Sequence, residues 1–124
     1  MQTKTAFLVL LVVLFGVSAC HHQPTAADLQ NAYYGDYPQN YEEIINKHIE
    51  NVFYDPYSAK VNFPVSPSQG YYSKPFGGGV EYGYHGTVMI NAKNQMGAYT
   101  GLKRYNYVIR DGRIIVFEEA RVNY

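Results

Sequence analysis

Residues 102–121 read LKRYNYVIRDGRIIVFEEAR, and the centre of that stretch decides the fold. Asp111-Gly112 lies between two runs rich in Tyr, Val and Ile. A two-residue hairpin turn needs positive φ at both central positions, which Asp-Gly accepts readily. The dipeptide therefore predicts antiparallel strands over 102–110 and 113–121. It also predicts a register: Arg110 opposite Arg113, Ile109 opposite Ile114, Val108 opposite Ile115, Tyr107 opposite Val116, Asn106 opposite Phe117, Tyr105 opposite Glu118 and Arg104 opposite Glu119. In that register Tyr105, Tyr107, Ile109, Ile114 and Val116 share one face, while Val108, Ile115 and Phe117 share the other. Two partly apolar faces exceed what one helix can cover, so the second must meet the preceding tether, a long loop or a partner.

Upstream of the hairpin, residues 93–101 (KNQMGAYTG) form a polar connection. Residues 80–92 alternate, with Val80, Tyr82, Tyr84, Val88 and Ile90 on one side of a long strand. Gly83 and Gly86 predict a bend or bulge in it. Residues 66–79 (SPSQGYYSKPFGGG) read as a long loop. Its glycines lack the Gly-Lys-Ser/Thr ending of a phosphate loop and a following helix, so they read as a turn into the next strand. Ala59, Val61, Phe63 and Val65 alternate as a first strand, which Pro64 confines to an edge or ends early. Before that strand the period is helical: Ile44, Ile45, His48, Ile49, Val52 and Phe53 make one face, capped by Asn40 with Glu43 three residues on, and stopped by Asp55-Pro56. His48 falls on the border of that face. The expected fold is α+β: one N-terminal amphipathic helix packed on a mostly antiparallel sheet of about four strands, ending in a β-hairpin.

The first twenty residues, MQTKTAFLVLLVVLFGVSAC, give an address. One cation, Lys4, precedes an apolar run of 12 residues from Ala6 to Val17. That is short of the ~20 residues a membrane span needs and suits the core of a secretory signal. Val17-Ser18-Ala19-Cys20 has the form of a bacterial lipobox, in which a Cys thiol is alkylated by a diacylglycerol before cleavage and further acylation (palmitate being the common chain). Thiolate is the best available nucleophile for that step. An ordinary signal peptide with an unrelated Cys is the plainer alternative; apolar length, small residues and Cys position together favour the lipobox. The expected division is a lipoprotein signal peptide at 1–19, a lipidated Cys20 and flexible tether at 20–37, and a single small α+β domain at 38–124. His21, where an Asp would signal inner-membrane retention, points to the outer membrane with the domain facing the periplasm. His21-His22 without further ligands reads as the start of a solvated tether.

Composition excludes several classes. The 124 residues carry 10 Lys plus Arg against 10 Asp plus Glu, so no basic field exists to hold nucleic acid. A single Cys cannot form an internal disulfide or a cysteine-rich zinc site. No Ser stands in a G-x-S-x-G setting, and the paired acids Glu42-Glu43 and Glu118-Glu119 give no spaced acid/base couple. No catalytic residue, metal site or cofactor is implied. The 14 Tyr remain, all downstream of Cys20. Tyr82, Tyr84 and Tyr107 alternate with apolar residues and read as sheet and core; Tyr71, Tyr72 and Tyr99 fall in expected loops and are the candidate partner-binding residues, since Tyr joins a large ring to a wet hydroxyl.

Asp55-Pro56-Tyr57-Ser58-Ala59-Lys60 and the stretch 91–101 (NAKNQMGAYTG) resemble segments of a family of small, mostly uncharacterised proteobacterial lipoproteins. The resemblance covers roughly 37–116 and implies the address and the order of elements; it supplies no catalytic residue. The expected role is a membrane-anchored, non-catalytic binding or assembly module of the cell envelope. Its expected partners are the membrane, through the lipid, and an envelope protein or cell-wall component. The alternative is a small envelope enzyme or enzyme inhibitor. The enzyme would need His85, Glu81 or Lys93 to converge; the inhibitor would need a protruding loop such as 66–79.

Overall fold

The computed structural model describes residues 23–121; the lipobox, Cys20 and His21-His22 lie outside the described residues. The chain runs α1 (Ala26–Asn31), α2 (Tyr41–Val52), β1 (Asp55–Asn62), β2 (Ser68–Ser73), a 3-10 turn (Pro75–Gly77), β3 (Val80–Lys93), β4 (Lys103–Arg110) and β5 (Arg113–Glu119). The class is α+β, with a five-stranded antiparallel sheet and two short helices. The extra strand relative to expectation is β2, which arises inside the stretch read as a loop. It pairs residue by residue with the first half of β3, from Ser68 opposite His85 to Ser73 opposite Val80. Local composition there favours turns, and cross-strand pairing overrides it.

β3 is the spine. β4 covers one edge of it, from Tyr84 opposite Ile109 to Ile90 opposite Lys103. β1 and β2 lie end to end along the other edge, β1 closing at Asn62 opposite Met89. Pro64 stands just past the end of β1, as a missing N–H donor requires. Neither Gly83 nor Gly86 produces a bulge: the pairing with β2 runs through Gly83 and the pairing with β4 through Gly86 without a shift. They supply room instead. A Cβ on Gly86 would run into the hydroxyl and ring of Tyr107, the residue paired with it, and a Cβ on Gly83 would lie 2.7 Å from both Val108 Cγ1 and the Ile109 carbonyl.

The hairpin turn forms as the Asp-Gly pair requires, with φ of 52° at Asp111 and 70° at Gly112. Its register departs from the expected one after two pairs. Ile109 faces Ile114, but the next pair is Val108 with Val116, followed by Tyr107 with Phe117, Asn106 with Glu118 and Tyr105 with Glu119. Ile115 is the extra residue of a β-bulge. The run Ile114-Ile115-Val116-Phe117 cannot alternate, and one inserted residue lets Ile114 and Phe117 both reach the helix side. Phe117 stacks on Tyr105 at 5.2 Å and meets His48 at 4.6 Å, while Val116 joins Val108 on the opposite face. The expected Arg104–Glu119 pair is replaced by Lys103–Glu119 at 3.1 Å. Both side chains are well exposed, so the bridge adds little stability.

Ile45 and Ile49 of α2 pack on Val88, Ile90 and Ala92 of β3 and on Tyr107 and Ile109 of β4. The expected cap box of α2 does not form. The Asn40 side chain makes no bond to the helix backbone, and its amide instead donates to the Glu43 carboxylate at 3.4 Å. The helix stops at Val52, ahead of Asp55-Pro56, which opens β1. Phe53, already extended, packs on Tyr105 and leaves Val52 more than half exposed.

Residues 23–37, expected to be a flexible tether, carry α1 and make defined contacts. Thr25 and Asp28 form a reciprocal capping box, with Thr25 N–H donating to Asp28 Oδ2 at 2.8 Å and Asp28 N–H donating to Thr25 Oγ1 at 3.2 Å. Tyr34 meets Tyr82 edge-on at 6.1 Å, and Tyr37 meets Tyr84 edge-on at 5.3 Å. The Tyr33 hydroxyl donates to Asp111 Oδ1 at 2.8 Å. This segment therefore continues the cover of the sheet beyond the end of α2.

The Tyr107–Gly86 contact yields a stability test. Tyr107 is fully buried, its hydroxyl has no hydrogen-bond partner among the described residues, and burial pushes its pKa far up. Gly86→Ala should destabilise the chain by about 1–3 kcal/mol in urea titrations, the usual cost of overpacking. Tyr107→Phe should cost little, because it removes an unpaired buried hydroxyl. The double variant should recover part of the Gly86→Ala loss; strict additivity would mean that the two residues do not meet.

Candidate functional site at the Tyr99 end of the sheet

The two segments quoted above, 55–60 and 91–101, meet in space although 31 positions separate Lys60 from Asn91. Asp55 opposes Lys93 and Lys60 opposes Asn91, so β1 fits three more residues than β3 between the same two pairings. Ser58 fills the irregularity. Its N–H donates to Asp55 Oδ1 at 3.3 Å, its hydroxyl donates to the Asp55 carbonyl at 2.8 Å, and its Oγ accepts from Lys93 N–H at 3.1 Å. A side chain thereby takes over a ladder bond that the bulged backbone has lost. The connection after β3 is closed in a comparable way. Asn94 Oδ1 accepts from Met96 N–H at 2.9 Å and from Ala98 N–H at 3.2 Å, Thr100 Oγ1 donates to the Ala92 carbonyl at 3.3 Å, and Asn91 Oδ1 accepts from Gly101 N–H at 3.1 Å.

These bonds deliver Tyr99 to one place. It bridges to Lys93, and its hydroxyl donates to the Ser58 carbonyl at 3.2 Å. Lys60 Nζ stands 4.8 Å from the centre of its ring and Lys93 Nζ 5.4 Å. The two ammonium groups thus lie within about 10 Å of each other and repel by at least about 0.4 kcal/mol even in water. Neither is in an ion pair among the described residues; the pairs present are Lys74–Glu81, Lys103–Glu119 and Arg110–Glu81. The ring's negative face offsets part of that repulsion. Apolar side chains crowd this end of the sheet in the open: Tyr57 is 95% exposed, Met96 91%, Tyr54 69% and Leu102 63%. The chemistry on offer is a positively charged, aromatic surface without an enclosed cavity.

Tyr71 and Tyr72 do not join Tyr99. They sit on β2, opposite Tyr82 and Glu81, so eleven residues of β3 (about 36 Å along an extended strand) separate them from the Lys93 end. As neighbours on a strand they point to opposite faces. The Tyr71 hydroxyl donates to Gln23 Oε1 at 2.9 Å. Tyr72 is pushed up to about 12 by burial first and then by the nearby Glu118 carboxylate. β2 and β5 are separated in the sheet by β3 and β4, so this approach joins side chains of strands that are not neighbours. Glu81 is held below the usual carboxylate range, first by its hydrogen bond from Lys74 at 2.6 Å, with Arg110 also beside it at 3.5 Å. His85 follows four residues along β3, and Lys93 a further eight, about 26 Å away along the strand. The three groups an enzyme would have to bring together are therefore spread along one strand. The depression of about 710 Å³ beside Asn40, Glu43, Asn46 and Glu50 lies on the solvent side of α2 and contains none of the expected residues.

No group of three or more His, Cys, Asp or Glu side chains among the described residues could hold a metal ion. The role of Ser58 was missed in the sequence; a Ser three residues after Asp in an Asp-Pro turn was the available signal. Comparison with family models, curated proteins and solved structures finds no match to this chain.

Two outcomes are expected. Ser58→Ala should cost about 1–2 kcal/mol in chemical denaturation, as expected for lost hydrogen bonds of this kind, and should speed exchange of the Lys93 amide. Unchanged exchange would remove Ser58 as the splice between β1 and β3. Secondly, burial lowers the pKa of both His48 and His85 below the usual 6.5. The unfolded chain then binds protons first, so stability falls as pH drops through 6.5 and levels off below the folded values. Urea midpoints measured from about pH 7 down to about pH 5 should show that fall, and His85→Gln should shrink it. Glu81 acts in a lower window, its contribution being lost as pH falls through its depressed folded pKa.

Proposed function

We propose that the chain is a lipoprotein held by an acylated Cys20 at the periplasmic face of the outer membrane, where it serves as a non-catalytic binding or assembly module. The lipobox reading of Val17 to Cys20 supports the address. One observation carries the role: the first described residue and the exposed aromatic surface are at opposite ends of the sheet. Gln23 is bonded to Tyr71, opposite Tyr82 near the start of β3, and Tyr99 is bridged to Lys93 at its end. Three peptide links join Cys20 to Gln23, a reach of at most about 11 Å. A lipid on Cys20 therefore leaves the Tyr99 end pointing away from the bilayer. Two lysines there, neither in an ion pair among the described residues although Asp55 stands opposite Lys93, favour an acidic partner, an envelope protein or a carboxylate-bearing wall component. The dispersal of Glu81, His85 and Lys93 weighs against the enzyme alternative.

A photo-crosslinking residue placed at position 57 should capture an envelope partner in intact cells, and the same residue at position 71 should not. Lys60→Glu together with Lys93→Glu should abolish the capture. Cys20→Ala should release the chain from the membrane fraction and weaken it. Equal capture from positions 57 and 71 would overturn the end-on arrangement.

A further inference from the structure

We propose that the loop after β2 is a second membrane contact, in which Phe76 enters the headgroup boundary of the bilayer that holds the chain. This rests on the reading of Cys20 as a lipid anchor. The loop closes the end of the sheet nearest Gln23: β2 passes from Tyr71, which holds Gln23, to its last residue Ser73, and Val80 resumes the pairing opposite Ser73. Phe76 lies at its tip and is fully exposed, 101% relative to a free side chain.

The ring is not exposed through slackness. Lys74 N–H donates to the Gly79 carbonyl at 2.8 Å and Gly78 N–H to the Pro75 carbonyl at 3.3 Å, which makes the loop compact. Within it Phe76 takes φ of 57°, a region that bulky residues avoid. Gly77 and Gly79, at φ of 74° and 88°, absorb the rest of the turn. Strain of this kind persists where the surrounding structure enforces it, and here it holds an apolar ring out into solvent.

Charge agrees with a lipid surface. From Ser66 to Val80 the chain contains no Asp or Glu, and its one cation, Lys74, is paired with Glu81 at 2.6 Å just beyond, so the loop carries no net charge. Such a segment can approach anionic headgroups without repulsion. An aromatic ring at the headgroup level is a usual anchoring device. Acylation fixes distance to the membrane but leaves a tethered domain free to rotate. A second contact at the same end sets its tilt and keeps the Lys60–Tyr99–Lys93 surface directed outward.

The chain contains no Trp, which makes the test direct. Phe76→Trp and Tyr57→Trp each introduce a sole indole, one at either end of the sheet. Full-length protein purified from the membranes of expressing cells is reconstituted into vesicles of phosphatidylethanolamine and phosphatidylglycerol. Emission and quenching by brominated lipid are then recorded. The indole at position 76 should shift to the blue and be quenched several-fold more strongly than the one at position 57. Flotation of the same samples reports the anchor separately. Chains that float while position 76 stays solvent-like and unquenched overturn the loop contact and leave anchoring intact. Chains that fail to float overturn the anchor and the loop contact together. Equal quenching at both positions also overturns the proposal, since the domain would then lie flat on the membrane.

Discussion

The structure depends on the length of β3. Fourteen residues of continuous strand give one edge to β4 and divide the other between β1 and β2. Every other element is placed relative to it. α2 covers the half where Val88, Ile90 and Ala92 alternate, and the Tyr-rich segment before α2 covers the half with Tyr82 and Tyr84. Continuity through the middle is secured by Gly86, where the absent side chain admits the Tyr107 ring. A bulge at that point would have turned half of the strand's side chains to the wrong face.

Much of this arrangement could be read from the residues, because it rests on period and turn chemistry. The apolar stripe of α2, the alternation of β3 and the Asp111-Gly112 turn are local patterns, and they appear where local patterns place them. What escaped was set by packing. In the segment Ser68–Ser73 only Tyr71-Tyr72 favours a strand, and the segment becomes one because β3 offers it an unpaired edge. The register beyond Ile109 was misplaced because four consecutive apolar residues leave the choice of face to whichever partner lies there, and Phe117 is drawn toward Tyr105 and His48.

The site followed the same division. Tyr99 was visible as an aromatic in a polar connection, but its setting was not. Ser58, Lys60 and Lys93 belong to strands that meet only after β1 and β3 have paired. Grouping Tyr71 and Tyr72 with it relied on all three lying in loops. Once β2 forms, its two tyrosines are fixed on opposite faces at the far end. The separation gives the molecule a polarity, with Gln23 at one end and the Lys60–Tyr99–Lys93 surface at the other.

The bulge at Ile115 also bears on how the molecule behaves in company. β5 is the terminal strand of the sheet, with no neighbour beyond it among the described residues. A regular outer strand offers its free amides and carbonyls to any passing chain and can seed end-to-end stacking. Here the strand has seven residues, is kinked near its middle, and carries exposed Arg113, Glu118 and Glu119 at its ends. That combination spoils it as a template. An outer strand that resists self-association keeps copies of the chain apart even where they are crowded.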